Sequence, residues 1–108
     1  MRVHIIDREF SKFTEVNLSI YVHNILWRLL NNPHFPAPRP GLDELREKLG
    51  LLKREMTRLF SGDDQALDAV RATRGELETL LRDLADNLEE ITHDRETLGT
   101  TGFGLVRE

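Results

Sequence analysis

The chain contains no cysteine, which excludes disulfides and thiolate metal sites and removes any need for an oxidising compartment. It also lacks an apolar run long enough for a membrane span. Its richest stretch, "NLSIYVHNILWRLL", is interrupted by Asn17, His23, Asn24 and Arg28. There is no surplus of positive charge: the formal net charge of -4 argues against sequence-independent nucleic-acid binding, which depends on basic residues neutralising phosphates. Proline is scarce, and all four residues of it fall between Pro33 and Pro40. The opening "MRVHIIDREF" reaches acidic and polar residues too early for a secretory signal, so a cytoplasmic protein without a membrane partner is expected.

With 31% charged residues of both signs and 39% apolar ones in 108 residues, the chain has the composition of one folded domain, 1–108. Three helical patterns fill most of it. The first helix is predicted over 14–31, with Thr14 as N-cap, Glu15 in its first turn and Asn31-Asn32-Pro33 as its stop. Its apolar residues Leu18, Tyr21, Val22, Ile25, Leu26, Leu29 and Leu30 form a stripe wider than one neighbouring helix needs. The second helix is predicted over 42–61. Leu42, Leu45, Leu49, Leu52, Met56 and Leu59 recur there at alternating spacings of three and four, and Gly62 follows as a left-handed terminator. The third is predicted over 63–98, capped by Asp63 or Asp64, with a seam running through Leu67, Val70, Leu77, Leu81, Leu84, Leu88, Ile91 and Leu98. Arg74 interrupts that seam, and Gly75 beside it costs about 1 kcal/mol relative to alanine. Arg74 is expected to lay its stem along the groove and keep its head at water.

The fold expected is therefore all-α: a three-helix bundle with a long proline-rich connector, 32–41, between helices 1 and 2. The short link after the second helix makes helices 2 and 3 an antiparallel hairpin. Residues 1–13 and 99–108 are short extended segments, β-prone enough for 2–6 and 103–107 to pair. The connector, with Pro33, Phe35, Pro36, Pro38 and Pro40, reaches about 25 Å as polyproline. That length allows it to run back along the bundle and deliver helix 2 in the same direction as helix 1, with Phe35 as its pin.

The order of parts, a helix, the "NPHFPAP" connector of NPxFPxP type, two helices separated by "SGD" and the tail "TTGFGLV", resembles a family of small bacterial helical proteins. Some of its members carry a fibronectin type III domain after the helical unit. The resemblance covers residues 14 to 106. It implies a helical fold and a bacterial source, and it implies no particular activity. No fibronectin-like sequence is present in these 108 residues, so that domain's role is not carried over.

Candidates for chemistry are few. "EEITHD" holds half of a di-iron motif, Glu90 three residues before His93, but a site of that kind needs the motif twice plus two further inward glutamates. The sequence holds it once, and a solvated face is expected. The serines lack a glycine-framed elbow. "GTTGFG" follows a helix instead of a strand, outside the context of a phosphate loop. No catalytic, cofactor-binding or metal residue is assigned, and no cofactor is expected. A third helix longer than its neighbour leaves Leu88, Ile91 and Leu98 in need of cover. The function expected is therefore a non-enzymatic protein-protein interaction or assembly module that self-associates, as a homo-oligomer, or docks another protein through helix 3 and its tails. Trp27, Leu88, Ile91, Leu98, Phe103 and Leu105 are the expected interface. Two alternatives are a bundle holding a small apolar ligand and a nucleic-acid-associated regulator using Arg46, Lys53, Arg54, Arg58, Arg71 and Arg74.

Overall fold

The computed structural model describes residues 4–107, and among them the chain is all-helical, with α1 at Glu15–Leu29, α2 at Leu42–Phe60, α3 at Ala66–Ile91 and α4 at Arg95–Leu98. Short 3-10 turns at Phe10–Lys12 and Gly99–Thr101 interrupt the two end segments. Local chemistry accounts for the boundaries. The Thr14 hydroxyl accepts from the Asn17 N–H at 3.1 Å, opening α1. Asn31 at φ 62° and Gly62 at φ 103° take the left-handed conformation that closes α1 and α2. The Asp63 carboxylate accepts from the Gln65 N–H at 3.1 Å just before α3 begins.

The helix expected over 63–98 is two helices. It passes Gly75 unbroken but ends at Ile91, where Thr92 turns extended (φ -153°, ψ 152°). Asp94 then accepts from the Thr97 N–H at 3.2 Å and caps α4. The stop is chemical: an Asp at cap position satisfies donors that a new helix start leaves open, and the β-branched Thr92 is well suited to an extended residue.

α2 runs antiparallel to α3, as two cross-links show: the Thr73 hydroxyl donates to Glu55 Oε1 at 2.6 Å, and Lys48 Nζ donates to Glu76 Oε2 at 2.7 Å. α2 is also antiparallel to α1. Ser19 lies against Met56, with Oγ 3.9 Å from Sδ, whereas Leu26 and Leu30 share a groove with Arg46 and Leu49. The same-direction delivery expected of the connector is thus overturned. The arm instead crosses the end of the helical core. Phe35 is buried there, and the Arg39 N–H donates to Asn87 Oδ1 of α3 at 2.9 Å. Pro33 and Pro36 lie exposed, Pro38 and Pro40 half-buried.

Between α1 and α3 lie parts of the two end segments. Phe10 stacks at 6.3 Å on Tyr21 of α1 and on Phe103 of the tail, and the Arg82 guanidinium of α3 covers its ring at 5.8 Å. One antiparallel bridge, Ile6 to Leu105, joins the ends; the Asp7 N–H donates to Gly104 O at 2.9 Å and the Val106 N–H to Ile5 O at 2.7 Å. Residues 2 and 3 of the expected pairing lie outside the described residues. The resulting body measures 45 × 29 × 17 Å. It is thin in one direction, so much of the helical surface faces water.

Candidate interaction surface

α1 has two apolar faces, separated on one side by the exposed Asn17, Asn24 and Arg28. Leu18, Val22, Ile25 and Leu29 are fully buried, and Leu26 turns toward α2. On the opposite face stand Val16, Ile20, Trp27 and Leu30, with relative exposures of 48, 63, 71 and 49%. With the exposed His23 they follow one another at spacings of four, three, four and three, which places them in a single stripe along the helix. The stripe borders a groove of about 330 Å³ between α1 and α2, floored by Leu26 and Leu49 and rimmed by His23, Arg46 and Lys53. Gly50 on α2 keeps that shoulder low.

The residues expected to form an interface part company here. Leu88, Leu98 and Phe103 are buried inside their own chain, because the terminal segments supply the cover that α2 is too short to give. That is a correction: these three have no surface to offer. Ile91 is 51% exposed at the end of α3, Leu105 is half-buried in its bridge with Ile6, and Trp27 stands in the α1 stripe. The sequence reading missed Val16 and Ile20. Their signal is present in the sequence: residues 16 to 27 contain no Asp, Glu, Lys or Arg, so the helix has a second apolar face where a solvated one is usual.

Two arginines, Arg74 on the α3 seam and Arg8 in the N-terminal segment, do internal work. Arg74 does not hold its head at water. It donates to the Phe10 and Phe13 carbonyls, to Glu15 Oε1 at 2.9 Å and to Glu78 Oε2 at 3.1 Å, and so clamps the N-terminal segment onto α3. Desolvation would depress the charge on this guanidinium, but Glu78 and Glu15 outweigh it and the pKa is raised. Arg8 binds Glu89, and also Asp86 at 2.8 Å.

Glu89 overturns the expectation of a solvated face at "EEITHD". It is buried, and accepts from the Ile5 and Ile6 N–H groups as well as Arg8. Burial pushes its carboxyl pKa up, but the Ile5 N–H, Arg8 and the Ile6 N–H together hold it below the usual value. Glu90 and His93 are exposed, as that reading expects.

His4, Asp86 and Glu89 approach within metal-ligand reach of one another. The Arg8 guanidinium already supplies the cation there, so the cluster reads as a salt-bridged tether. Among the basic residues considered for nucleic acid, Arg46 pairs with Asp43, Arg58 with Asp63 and Arg74 is internal, leaving a field of mixed sign. The "GTTGFG" segment is structural as well. The Thr101 hydroxyl donates to Leu98 O at 2.6 Å, Gly102 takes φ 89° against α1, and the Gly104 N–H donates to the Tyr21 hydroxyl at 2.8 Å. No helix among the described residues is long and apolar enough to cross a membrane. Comparison of the chain with protein-family models, curated proteins and solved structures finds no match.

Proposed function

We propose that the chain is a non-enzymatic protein-contact module: a three-helix bundle, closed at one end by its proline-rich connector, whose binding surface is the outer face of α1 with the adjoining shoulder of α2. One observation carries this reading. Val16, Ile20, Trp27 and Leu30 form a continuous stripe of large apolar side chains held in water at exposures of 48 to 71%, whereas scattered single residues are the usual case on a monomer. A large aromatic beside a groove with a basic rim is also the residue type that most often anchors an interface. The contact surface expected on helix 3 and the tails moves to α1, because the tails are consumed in closing the core.

Membership of the family of small bacterial helical proteins belongs to the same proposal. The two stretches that carry the resemblance touch each other: Asn32 of "NPHFPAP" donates through Nδ2 to the hydroxyl of Thr100, beside "TGFGL", at 3.1 Å. A motif pair joined in this way serves the fold, so relatives sharing both would share the architecture.

The test is a double substitution, Ile20→Ser with Trp27→Ser, followed by urea unfolding at the lowest concentration that gives a signal. Surface substitutions away from structural features change stability by about 0.5 kcal/mol or less. A loss of about 2 kcal/mol or more would mean that the stripe serves folding and would end the reading. A second reading, a small apolar ligand in the groove, is favoured by its floor of Leu26 and Leu49 beside Trp27. Saturable one-to-one quenching of Trp27 by an anilinonaphthalene probe, abolished by Leu49→Arg, would select it.

A further inference from the structure

Resting on the contact reading, we infer that the occupant of the α1 face is a second copy of this chain, packed antiparallel, α1 on α1, about a two-fold axis at the level of His23. Four features of the stripe lead there. The first is its symmetry. Two identical helices packed antiparallel about an axis at residue 23 oppose residues whose numbers sum to 46. Val16 then meets Leu30 of the second copy, His23 meets its own counterpart, and Ile20 falls within one residue of Trp27. A self-complementary patch of this kind is what a closed two-fold interface requires, and the spacings of three and four are those of knobs packed into holes.

The second feature is size matching. The smallest member, Val16, faces Leu30 at the ends, and the β-branched Ile20 faces the indole of Trp27 near the middle. Trp27, 71% exposed, leaves most of the roughly 150–250 Å² of a large aromatic to be covered.

The third feature is charge. Residues 16 to 27 of α1 carry no Asp, Glu, Lys or Arg, and the charged groups near the two ends of the stripe are paired within their own chain, Glu15 with Arg74 and Arg46 with Asp43. A second α1 face therefore brings no charged side chain of residues 16 to 27 against the stripe. A parallel pairing would align the two helix dipoles, which the antiparallel pairing sets head to tail. Lys53 is the one like-charged neighbour at the axis, and its four-carbon stem lets the ammonium turn out to water.

The fourth feature is extent. From Val16 to Leu30 the stripe is about 21 Å long at 1.5 Å per residue. One helix face of that length with one shoulder corresponds to the small end of specific interfaces, about 1,200 Å² in total. Weak, reversible complexes occupy this end of the size range, and area alone does not fix their affinity, so the mass is read over three decades of concentration.

Sedimentation equilibrium between about 1 μM and about 1 mM should show the mass rising from one chain to two. The cysteine-free sequence permits a geometric test. His23→Cys should oxidise to a single covalent dimer, because a disulfide needs Cα atoms about 4.4–6.8 Å apart and the axis brings this position to its copy. Val16→Cys mixed with Leu30→Cys should cross-link between the two variants, and neither should cross-link with itself. Ile20→Glu should stay monomeric throughout the concentration range with an unchanged helical circular dichroism spectrum.

A mass of one chain at every concentration overturns the pairing. So does self-linking of Val16→Cys, which would mark a parallel arrangement, or an Ile20→Glu dimer as strong as the parent. The two proposals fail separately. A monomeric parent whose Ile20→Glu variant unfolds like the parent overturns the second copy as occupant and leaves the α1 face for a different protein. An Ile20→Glu chain that is unfolded at all concentrations overturns the contact reading itself.

Discussion

At the scale of single residues, the chain depends on a few buried polar groups more than its leucine-rich pattern suggests. Glu89 and Arg8 tie the N-terminal segment to the end of α3. Removing one partner of such a pair leaves the other charge without compensation, so Arg8→Ala should cost about 3 kcal/mol in urea unfolding. Hydrogen exchange should localise the loosening to residues 4–10.

The same carboxyl sets an acid limit. The pKa values of Glu89, Glu15 and Asp7 are lowered below their ordinary values of 4.5, 4.5 and 3.8. A carboxyl with a lowered folded-state pKa contributes stability that is complete above its unfolded value and fades as pH falls through the folded one. Melting temperature should therefore be flat above about pH 5 and drop below about pH 4.5, with a shallower drop in Glu89→Gln. Glu55 is buried between α2 and α3 with Oε1 bound to Thr73, and its Oε2 has no partner among the described residues. Thr73→Val leaves Oε1 unpartnered as well and should cost about 1–3 kcal/mol; an unchanged or higher midpoint in urea would contradict this.

At the scale of elements, two glycines separate propensity from packing. Gly75 lies on the exposed face of α3 with no atom within 4 Å of an added Cβ. Gly75→Ala should stabilise by about 0.5–1 kcal/mol through helix propensity alone. At Gly102 a Cβ would meet Asn24 Nδ2 at 3.1 Å, the Ile25 Cα at 3.2 Å and Arg28 Cγ at 3.3 Å, on a backbone at φ +89°. Gly102→Ala should therefore destabilise by about 2 kcal/mol or more. The sign difference between the two, read in one thermal-unfolding experiment, checks how closely the tail approaches α1. Phe103→Ala, which empties a position among Phe10 and Tyr21, should cost about 3–5 kcal/mol.

At the scale of the whole molecule, α2 packs along both of its neighbours, whereas α1 and α3 meet through the Glu15–Arg74 ion pair and the end segments lodged between them. Removing residues 99–108 should therefore act unevenly. Amide protection should collapse along α1 and the N-terminal segment and persist in the α2–α3 hairpin, because only the former lose Phe103 and the Leu105 bridge. Uniform loss would indicate that the hairpin cannot stand without the C-terminal segment.

Features that depend on near neighbours were legible along the chain. The periods of three and four, the Thr14 cap, the left-handed Gly62 and the short link after α2 specify the main helices and the hairpin, since each involves residues within a turn or two. Even the break at Thr92 is written locally, in the cap residue Asp94, although the continuing Leu88–Ile91–Leu98 spacing overrides it when only hydrophobic period is read. Tertiary structure alone decided which apolar groups stay wet. Leu88, Leu98 and Phe103 are sheltered by segments far away in sequence, Glu89 and Arg74 find backbone partners more than sixty residues distant, and α1 keeps Val16, Ile20 and Trp27 in water. Burial is a property of three-dimensional neighbours. A period along the chain states that a residue can be covered, and the fold states by what.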